Sequence, residues 1–127
     1  MLLVDSCGWL EYLTDGLLAD AYAPLIEGDA ELLVPAIVFF EVYKFIKRSR
    51  GEEAALLVAA QLQRHKVVDL DSVLAMEAAD CGIDHGLAMA DAVVYATSLH
   101  HGAQLVTSDR DFKGLAGVRW IPKGEPG

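Results

Sequence analysis

The sequence has no long apolar run. None of its hydrophobic stretches reaches the ~18 residues that a membrane-spanning helix needs. A basic segment followed by an apolar segment and a small-residue cleavage site is also missing from its amino-terminal part. We therefore expect a protein without a membrane anchor that acts in the cytoplasm.

Cysteine is scarce. Cys7 and Cys81 are the only two cysteines in 127 residues, and they lie far apart in the sequence. Their spacing matches no metal-binding or redox motif, and two cysteines cannot form the disulfide framework of a small secreted domain. This usage favours reduced thiols.

Positive charge is also in short supply. The chain has 10 Lys and Arg residues against 19 Asp and Glu residues, with a formal net charge of -9. A protein that coats nucleic acid with a broad basic face has the opposite balance. An enzyme that holds cations in an acidic pocket is not excluded, because a bound Mg²⁺ or Mn²⁺ reverses the local field. A basic protein partner also fits this charge.

The residues that are present suit one domain with a continuous core, since 54% of them are hydrophobic. No internal repeat or low-complexity segment interrupts the chain. We expect a domain over residues 1–122 and a flexible tail over residues 123–127. The sequence predicts strands at 2–4, 31–34, 67–70, 104–106 and 118–121, and helices at 9–13, 17–26, 36–50, 52–65, 72–82 and 87–101.

Strands and helices alternate in this prediction. The strands are short and apolar throughout, whereas a half-exposed antiparallel sheet shows alternating polar residues. The pattern therefore predicts an α/β fold, a parallel sheet covered by helices on both faces. The helix at 36–50 is apolar on most sides, so we expect burial on more than one face or a subunit interface.

Two predicted strands end in acidic segments. Asp5 follows the strand at 2–4, and Asp109 follows the strand at 104–106 after Thr107 and Ser108. Parallel strands have their carboxyl ends at one edge of the sheet, where such folds bind ligands. We therefore expect Asp5 and Asp109 to be neighbours.

Two further acids, Glu41 and Asp91, stand inside apolar helical segments. A buried carboxylate is costly unless it is paired or bound to a metal ion. Together with Asp5 and Asp109 they would form an all-oxygen ligand set, which suits Mg²⁺ or Mn²⁺ better than zinc and is able to support phosphodiester hydrolysis. Helix capping and turn formation remain the alternative explanation for these acids.

Four segments in this order resemble a PIN domain, as found in the toxin subunits of VapBC toxin–antitoxin pairs. They are Val4-Asp5-Ser6, Val34-Pro35-Ala36 with Glu41, residues 87–92 with Asp91, and residues 105–112 with Asp109. The resemblance covers nearly the whole chain. It implies a Rossmann-like three-layer α/β/α sandwich with a mainly parallel sheet. It also implies a metal-dependent endoribonuclease that uses Mg²⁺ or Mn²⁺, forms a homodimer and is neutralised by a small antitoxin protein.

The resemblance also assigns roles to particular residues. Asp5 and Asp91 correspond to central metal ligands, Glu41 to a ligand that binds directly or through water, and Asp109 to a ligand or water-orienting group. A turn role is favoured for Asp111. The hydroxyls that hold the acidic loops correspond to Ser6 and Thr107. Cys7 departs from the pattern, which commonly has a polar residue at this position.

Other functions compete with this interpretation. A phosphoacceptor receiver domain has a similar size and an acidic Mg²⁺ pocket, and Asp69 and Asp71 end a middle strand, but Asp5 stands without the paired acid that such a domain needs. A haloacid-dehalogenase-like phosphatase requires Asp-x-Asp after the first strand, which is absent. A PIN-like module that only binds a partner also stays open. The basic cluster Lys44, Lys47, Arg48 and Arg50 fits either an RNA contact or the cations favoured at a helix end.

Overall fold

The computed structural model describes residues 1–124. The strands are β1 (Leu2–Val4), β2 (Leu32–Pro35), β3 (Lys66–Val68), β4 (Gln104–Thr107) and β5 (Val118–Trp120). The helices are α1 (Ser6–Leu13), α2 (Ala19–Glu27), α3 (Ala36–Arg50), α4 (Glu52–Leu62), α5 (Ser72–His85) and α6 (Met89–His101). A 3-10 turn at Arg110–Phe112 follows β4.

The five strands form one sheet in the order β3-β2-β1-β4-β5, and every neighbouring pair is parallel. The central strand β1 pairs with β2 on one side and with β4 on the other. This confirms the predicted parallel sheet. It also brings the carboxyl ends of the first strand and the fourth strand side by side, although about a hundred residues separate them in sequence.

Helices cover both faces of the sheet. Connections between parallel strands of one sheet are right-handed. The chain runs from β1 through β2 to β3 at one edge, which places α1 to α4 on one face of the sheet. It then crosses back to β4 on the other side of β1, which places α5 and α6 on the opposite face. The main core contains Leu3, Trp9, Val42 and Leu105 among its fully buried residues. A smaller cluster lies between α5 and α6. The predicted three-layer α/β/α sandwich is confirmed.

Two helix boundaries differ from the prediction because of their caps. Helix α1 begins directly after Asp5, whose side chain accepts the Ser6 backbone N–H and so starts the helix earlier than the apolar pattern indicates. Helix α5 continues through Gly82 to His85 and ends at Gly86, whose left-handed conformation forms the cap. Gly82 was the predicted end, but it lies within a regular helix.

The other boundaries shift by at most three residues. The largest change is in α4, which ends at Leu62 because residues 63–65 form a turn before β3. Strand β4 extends by one residue to include Thr107, which brings this hydroxyl into the sheet. The predicted tail at residues 123–127 lies partly outside the described residues, and Lys123 and Gly124 belong to no helix or strand.

Helix α3 is fully buried along one stripe, through Val38, Val42 and Ile46 at successive helical turns. Ile37, Phe39 and Tyr43 on either side of this stripe are partly buried against the core. Phe40 and Phe45 are about half exposed. Within residues 1–124, no helix has the length and apolar character required to cross a membrane.

Candidate active site

Asp5 lies where β1 passes into α1, and it is almost fully buried. Its Oδ1 atom accepts the Ser6 backbone N–H at 2.8 Å, and its Oδ2 atom accepts the Thr107 hydroxyl at 2.9 Å. Burial raises the pKa of Asp5, and the hydrogen bonds from Thr107 and Ser6 oppose that rise. The carboxylate is thus fixed by two elements that the chain brings together only on folding.

The Thr107 hydroxyl connects the loops after β1 and β4. It donates to Asp5, and its oxygen accepts the Asp109 backbone N–H at 3.0 Å. Thr107 is fully buried, so neither partner can exchange this contact for water without a structural change. The two hydrogen bonds connect the loops that carry Asp5 and Asp109.

Three carboxylates come closest together at this edge of the sheet. Asp91, Asp109 and Asp111 each offer an oxygen atom, and these atoms lie within 4.8 Å of one another. Asp91 stands in the first turn of α6, and Asp109 caps the 3-10 turn by accepting the Asp111 backbone N–H at 2.9 Å. Asp111 therefore does form a turn contact, as expected, and its side chain also joins the acidic cluster.

Asp91 lies close enough to the other acids of the site for their charges to affect its pKa. The pKa of Asp91 is raised to about 7, first by burial and then by the negative charges of Asp109, Asp5, Asp111 and Glu41. Like charges that raise one another's pKa are destabilising until a cation or a proton neutralises them. Of the four acids predicted from the sequence, Asp91 and Asp109 belong to the closest group of three, whereas Asp5 and Glu41 lie outside it.

Glu41 approaches the pocket from α3. Burial and the charge of Asp5 raise its pKa, and the Ser6 side chain opposes this rise. Ser6 binds Asp5 through its backbone N–H, and it lines the same cavity as Glu41. A cavity of about 580 Å³ opens beside Glu41, and it is lined by Ser6, Leu10, Phe40, Glu41, Lys44, Phe45, Arg48 and Ser49.

The basic cluster at the end of α3 is divided by the structure. Lys44 and Arg48 line the cavity beside Glu41, whereas Lys47 forms an exposed ion pair with Glu52 at 3.7 Å. An exposed ion pair contributes little to stability. Of the cluster, Lys44 and Arg48 are therefore the members placed next to the acidic pocket.

Cys7 occupies the position that departs from the family pattern. Its Sγ atom lies 3.8 Å from Asp5 Oδ2 and 3.7 Å from Thr107 Oγ1, so the thiol forms weak hydrogen bonds in the same network. Burial and the charge of Asp5 raise the pKa of Cys7, which keeps the thiol neutral. A neutral thiol is a weak donor and replaces a polar side chain only in part.

Sequence reasoning missed one supporting pair. The Tyr22 hydroxyl on α2 lies 2.6 Å from Ser108 Oγ, and both residues are buried. Ser108 stands between Thr107 and Asp109, so this contact fixes the loop that carries Asp109. A phenol within an otherwise apolar helix face was the available signal, because a buried tyrosine hydroxyl needs a hydrogen-bond partner.

The side chains present suit a hard divalent cation. The closest group consists of carboxylates alone, without His or Cys, and oxygen-only sets select Mg²⁺ or Mn²⁺ over zinc. Burial and the neighbouring negative charges raise the pKa of Asp91, and a bound cation would offset both effects. Fold and site together define a parallel α/β/α protein with an acidic centre at the carboxyl ends of β1 and β4.

The comparison with protein families is consistent with this description. The PIN domain matches residues 2–118. The chain therefore belongs to the PIN domain family. A search of curated proteins finds no matching sequence.

Several solved structures share this fold at low sequence identity. A toxin–antitoxin complex from Klebsiella pneumoniae aligns with a TM-score of 0.80 and 22% identity, covering 94% of this chain and 96% of its own. A VapC toxin of Mycobacterium tuberculosis, described as cleaving the sarcin–ricin loop, gives 0.74 and 21%, covering 94% and 99%. DNA-bound VapBC from Salmonella typhimurium gives 0.74 and 17%, covering 96% and 98%.

The strand order of the sheet excludes the receiver-domain alternative. Receiver domains have the strand order 2-1-3-4-5, whereas this sheet has the order 3-2-1-4-5. Asp71, one of the two acids that suggested it, caps α5 by accepting the Leu74 backbone N–H at 2.8 Å. That acid is used for helix capping at the far side of the sheet.

Proposed function

We propose that this chain is a metal-dependent endoribonuclease toxin of a toxin–antitoxin system, which hydrolyses RNA phosphodiester bonds in the cytoplasm. The observation that carries the proposal is the cluster of Asp91, Asp109 and Asp111 in a PIN domain, whose carboxylate oxygens lie within 4.8 Å of one another. The toxin structures that share the fold support the choice of RNA as substrate.

The proposed roles follow from the contacts. Asp91, Asp109 and Asp111 would hold a Mg²⁺ or Mn²⁺ ion, with Asp5 and Glu41 completing the site directly or through water. Such an ion supplies Lewis-acid polarisation of a phosphate. Asp5 keeps its orientation through Ser6 and Thr107, so its carboxylate stays aimed at the pocket.

The proton on Asp91 competes with the cation. Asp91 must be deprotonated to bind a metal ion, so its pKa of about 7 in the protein without metal predicts tighter binding of Mg²⁺ or Mn²⁺ above pH 7 than below it. Glu41 lines the cavity through which a substrate strand would enter.

Two protein partners are part of this proposal. The first is a small antitoxin protein, whose basic side chains would complement the net charge of -9. The second is another copy of the chain in a homodimer. Light scattering on the purified protein, alone and after co-expression with the neighbouring small gene, measures both associations.

The test of the function compares cleavage of RNA by the unmodified protein and by Asp5→Asn. We expect cleavage with Mg²⁺ or Mn²⁺, none in EDTA, and a roughly thousandfold slower rate for Asp5→Asn, equivalent to ~4 kcal/mol of lost transition-state stabilisation. The substitution keeps the shape of the side chain but removes its charge. Asp29→Asn, at an exposed turn, is the matched control and should cleave normally.

Undiminished cleavage by Asp5→Asn or in EDTA would contradict the proposed mechanism. A PIN domain that only binds a partner is the remaining candidate, and Cys7 in place of the usual polar residue is the observation in its favour. It would be supported if the protein binds an antitoxin but takes up no Mn²⁺ in calorimetry and cleaves no RNA.

A further inference from the structure

A second cavity adjoins the acidic pocket on the side of β5. It has a volume of about 350 Å³ and is lined by Ser108, Arg110, Lys113, Trp120, Pro122, Lys123 and Gly124. We name it the β5 basic pocket. Three of the chain's ten Lys and Arg residues line it, in a protein whose acids outnumber its bases almost two to one.

Two residues of the pocket are neighbours of Asp109 in the chain. Ser108 and Arg110 flank Asp109 in the chain, and consecutive Cα atoms are about 3.8 Å apart. Trp120 is the register partner of Thr107 in the pairing of β4 with β5. The pocket is therefore built on the same β4 loop that carries Asp109 and on the strand that pairs with β4.

The walls of this pocket are held in place by buried groups. The Ser108 hydroxyl contacts the Tyr22 hydroxyl at 2.6 Å, and Phe112, between Arg110 and Lys113, is fully buried. The Lys113 ammonium lies 4.4 Å from the centre of the Trp120 ring, a cation–π contact that limits its freedom. Cations that are already positioned lose less entropy when they bind an anion.

We propose that the β5 basic pocket binds the phosphodiester group next to the scissile phosphodiester in the RNA substrate. Within the described residues 1–124, no carboxylate lines the pocket, so an anion meets positive charge there and negative charge only at the acidic centre. RNA fits this alternation because its phosphates repeat along the strand, and phosphate contacts by Lys and Arg position nucleic acids without reading sequence.

This inference rests on the proposed ribonuclease function, and it adds the direction of the strand. The RNA would run from the acidic centre across the 3-10 turn toward Trp120. The other cavity, beside Glu41, differs in kind. Its two cations, Lys44 and Arg48, share the lining with an acid, Glu41, and with the apolar side chains of Leu10, Phe40 and Phe45.

The binding experiment uses Asp91→Asn as background, so that RNA is not cut during the measurement. A fluorescein-labelled single-stranded RNA is titrated at several salt concentrations, with Lys113→Gln and Arg110→Gln as test variants and Lys66→Gln, on the opposite edge strand, as the matched control. We expect each test variant to weaken RNA binding roughly fivefold to tenfold and to lower the slope of log affinity against log salt concentration by about one. Both effects should be equal for RNAs of different sequence. Lys113→Arg should restore binding.

Tryptophan fluorescence gives an independent readout. Trp9 is fully buried in the core and Trp120 is partly exposed at the pocket, so RNA should change the emission of Trp120 alone. The change should disappear in Trp120→Phe. Inorganic phosphate, titrated separately, tests the other source of the same chemistry. If inorganic phosphate produces the full change in Trp120 emission at concentrations at which RNA does not bind, the pocket is a site for free phosphate. This result would overturn the RNA inference.

Cleavage by variants with Asp91 intact separates this inference from the function on which it rests. A raised KM with unchanged kcat in Lys113→Gln supports the inference. If Lys113→Gln cleaves and binds RNA as well as Lys66→Gln does, the inference is overturned and the ribonuclease function stands. If the unmodified protein binds RNA through Lys113 but never cleaves it, the pocket stands and the function fails. If it neither binds nor cleaves RNA, both fail.

Discussion

Thr107 is the residue whose hydroxyl joins the two acidic loops. It donates to Asp5 and accepts from the Asp109 backbone, with both distances close to 3 Å. Thr107→Val has nearly the same shape but removes both hydrogen bonds, which leaves a buried N–H and a buried carboxylate oxygen without their partner. We expect ~10–100-fold weaker Mn²⁺ binding by calorimetry, because removing groups that orient ligands has effects of this size.

Thr97→Val is the control for this substitution. Thr97 is also fully buried, and its hydroxyl donates to the Val93 carbonyl within α6, away from the acidic loops. Thr107→Val should lose ~1–3 kcal/mol of stability because it leaves buried groups unpaired. Thr97→Val should lose less, because the Val93 carbonyl keeps its helical N–H partner, and its metal affinity should not change. Equal Mn²⁺ affinity in the two variants would show that Thr107 does not position Asp5.

Individual site residues could be predicted from sequence where their surroundings made them unusual. Glu41 and Asp91 stood out because each is an acid inside an apolar helical segment, and Asp5 because it follows a buried strand. Asp111 could not be separated from an ordinary turn residue, since its backbone does form the turn that the sequence suggests. Its side-chain role depends on the position of α6, which only the tertiary structure provides.

Helices α1 and α2 meet at a contact that only glycine permits. A Cβ atom on Gly8 would lie inside the contact distance of the Tyr22 ring, at 2.7 Å from Cδ1 and 2.8 Å from Cζ. Tyr22 cannot move away easily, because it is fully buried and bound to Ser108. We expect Gly8→Ala to lower the free energy of unfolding by ~1–3 kcal/mol, the usual cost of overpacking, as measured by urea denaturation.

Gly82→Ala tests whether this effect is specific to the contact. Gly82 also lies inside a helix, but its added Cβ would meet only the Leu87 carbonyl oxygen at 3.4 Å and the Ala92 side chain at 3.5 Å, which are ordinary distances. Alanine is the better helix former by up to ~1 kcal/mol, so this variant should be equally or more stable. A Gly8→Ala protein as stable as Gly82→Ala would contradict the packing argument.

The elements themselves were mostly predictable, and their ends less so. Each strand and helix corresponds to an apolar run or a helical pattern in the sequence. The ends depend on hydrogen bonds that a pattern does not reveal. Asp5 starts α1 through its side chain, and Gly86, in place of Gly82, ends α5 because it is the glycine in the left-handed conformation.

At the scale of the whole molecule, the sequence predicted a parallel sheet and the meeting of its first and fourth strands, but not the complete strand order. Short apolar runs identify buried strands without naming their neighbours. The order β3-β2-β1-β4-β5 depends on which helices cover which face, and therefore on contacts between residues far apart in the chain.

The acidic pocket should make the stability of the whole metal-free protein depend on pH. The pKa of Asp91 is about 7 in the folded chain and near its ordinary 3.8 when the chain is unfolded. Between these values the folded protein retains a proton that the unfolded chain has lost, so the free energy of unfolding falls as pH rises and levels off above pH 7. The pKa values of Asp5 and Glu41 are raised as well and act in the same direction.

Urea denaturation in EDTA across this pH range measures the effect, and Asp91→Asn should flatten much of the decline because its amide does not titrate. Added Mn²⁺ should reverse the decline in the unmodified protein, and more strongly above pH 7 than below it, since protons compete with the cation for Asp91. A decline of equal slope in Asp91→Asn would show that Asp91 is not the group that titrates. Stabilisation by Mn²⁺ that does not depend on pH would show that Asp91 does not bind the cation.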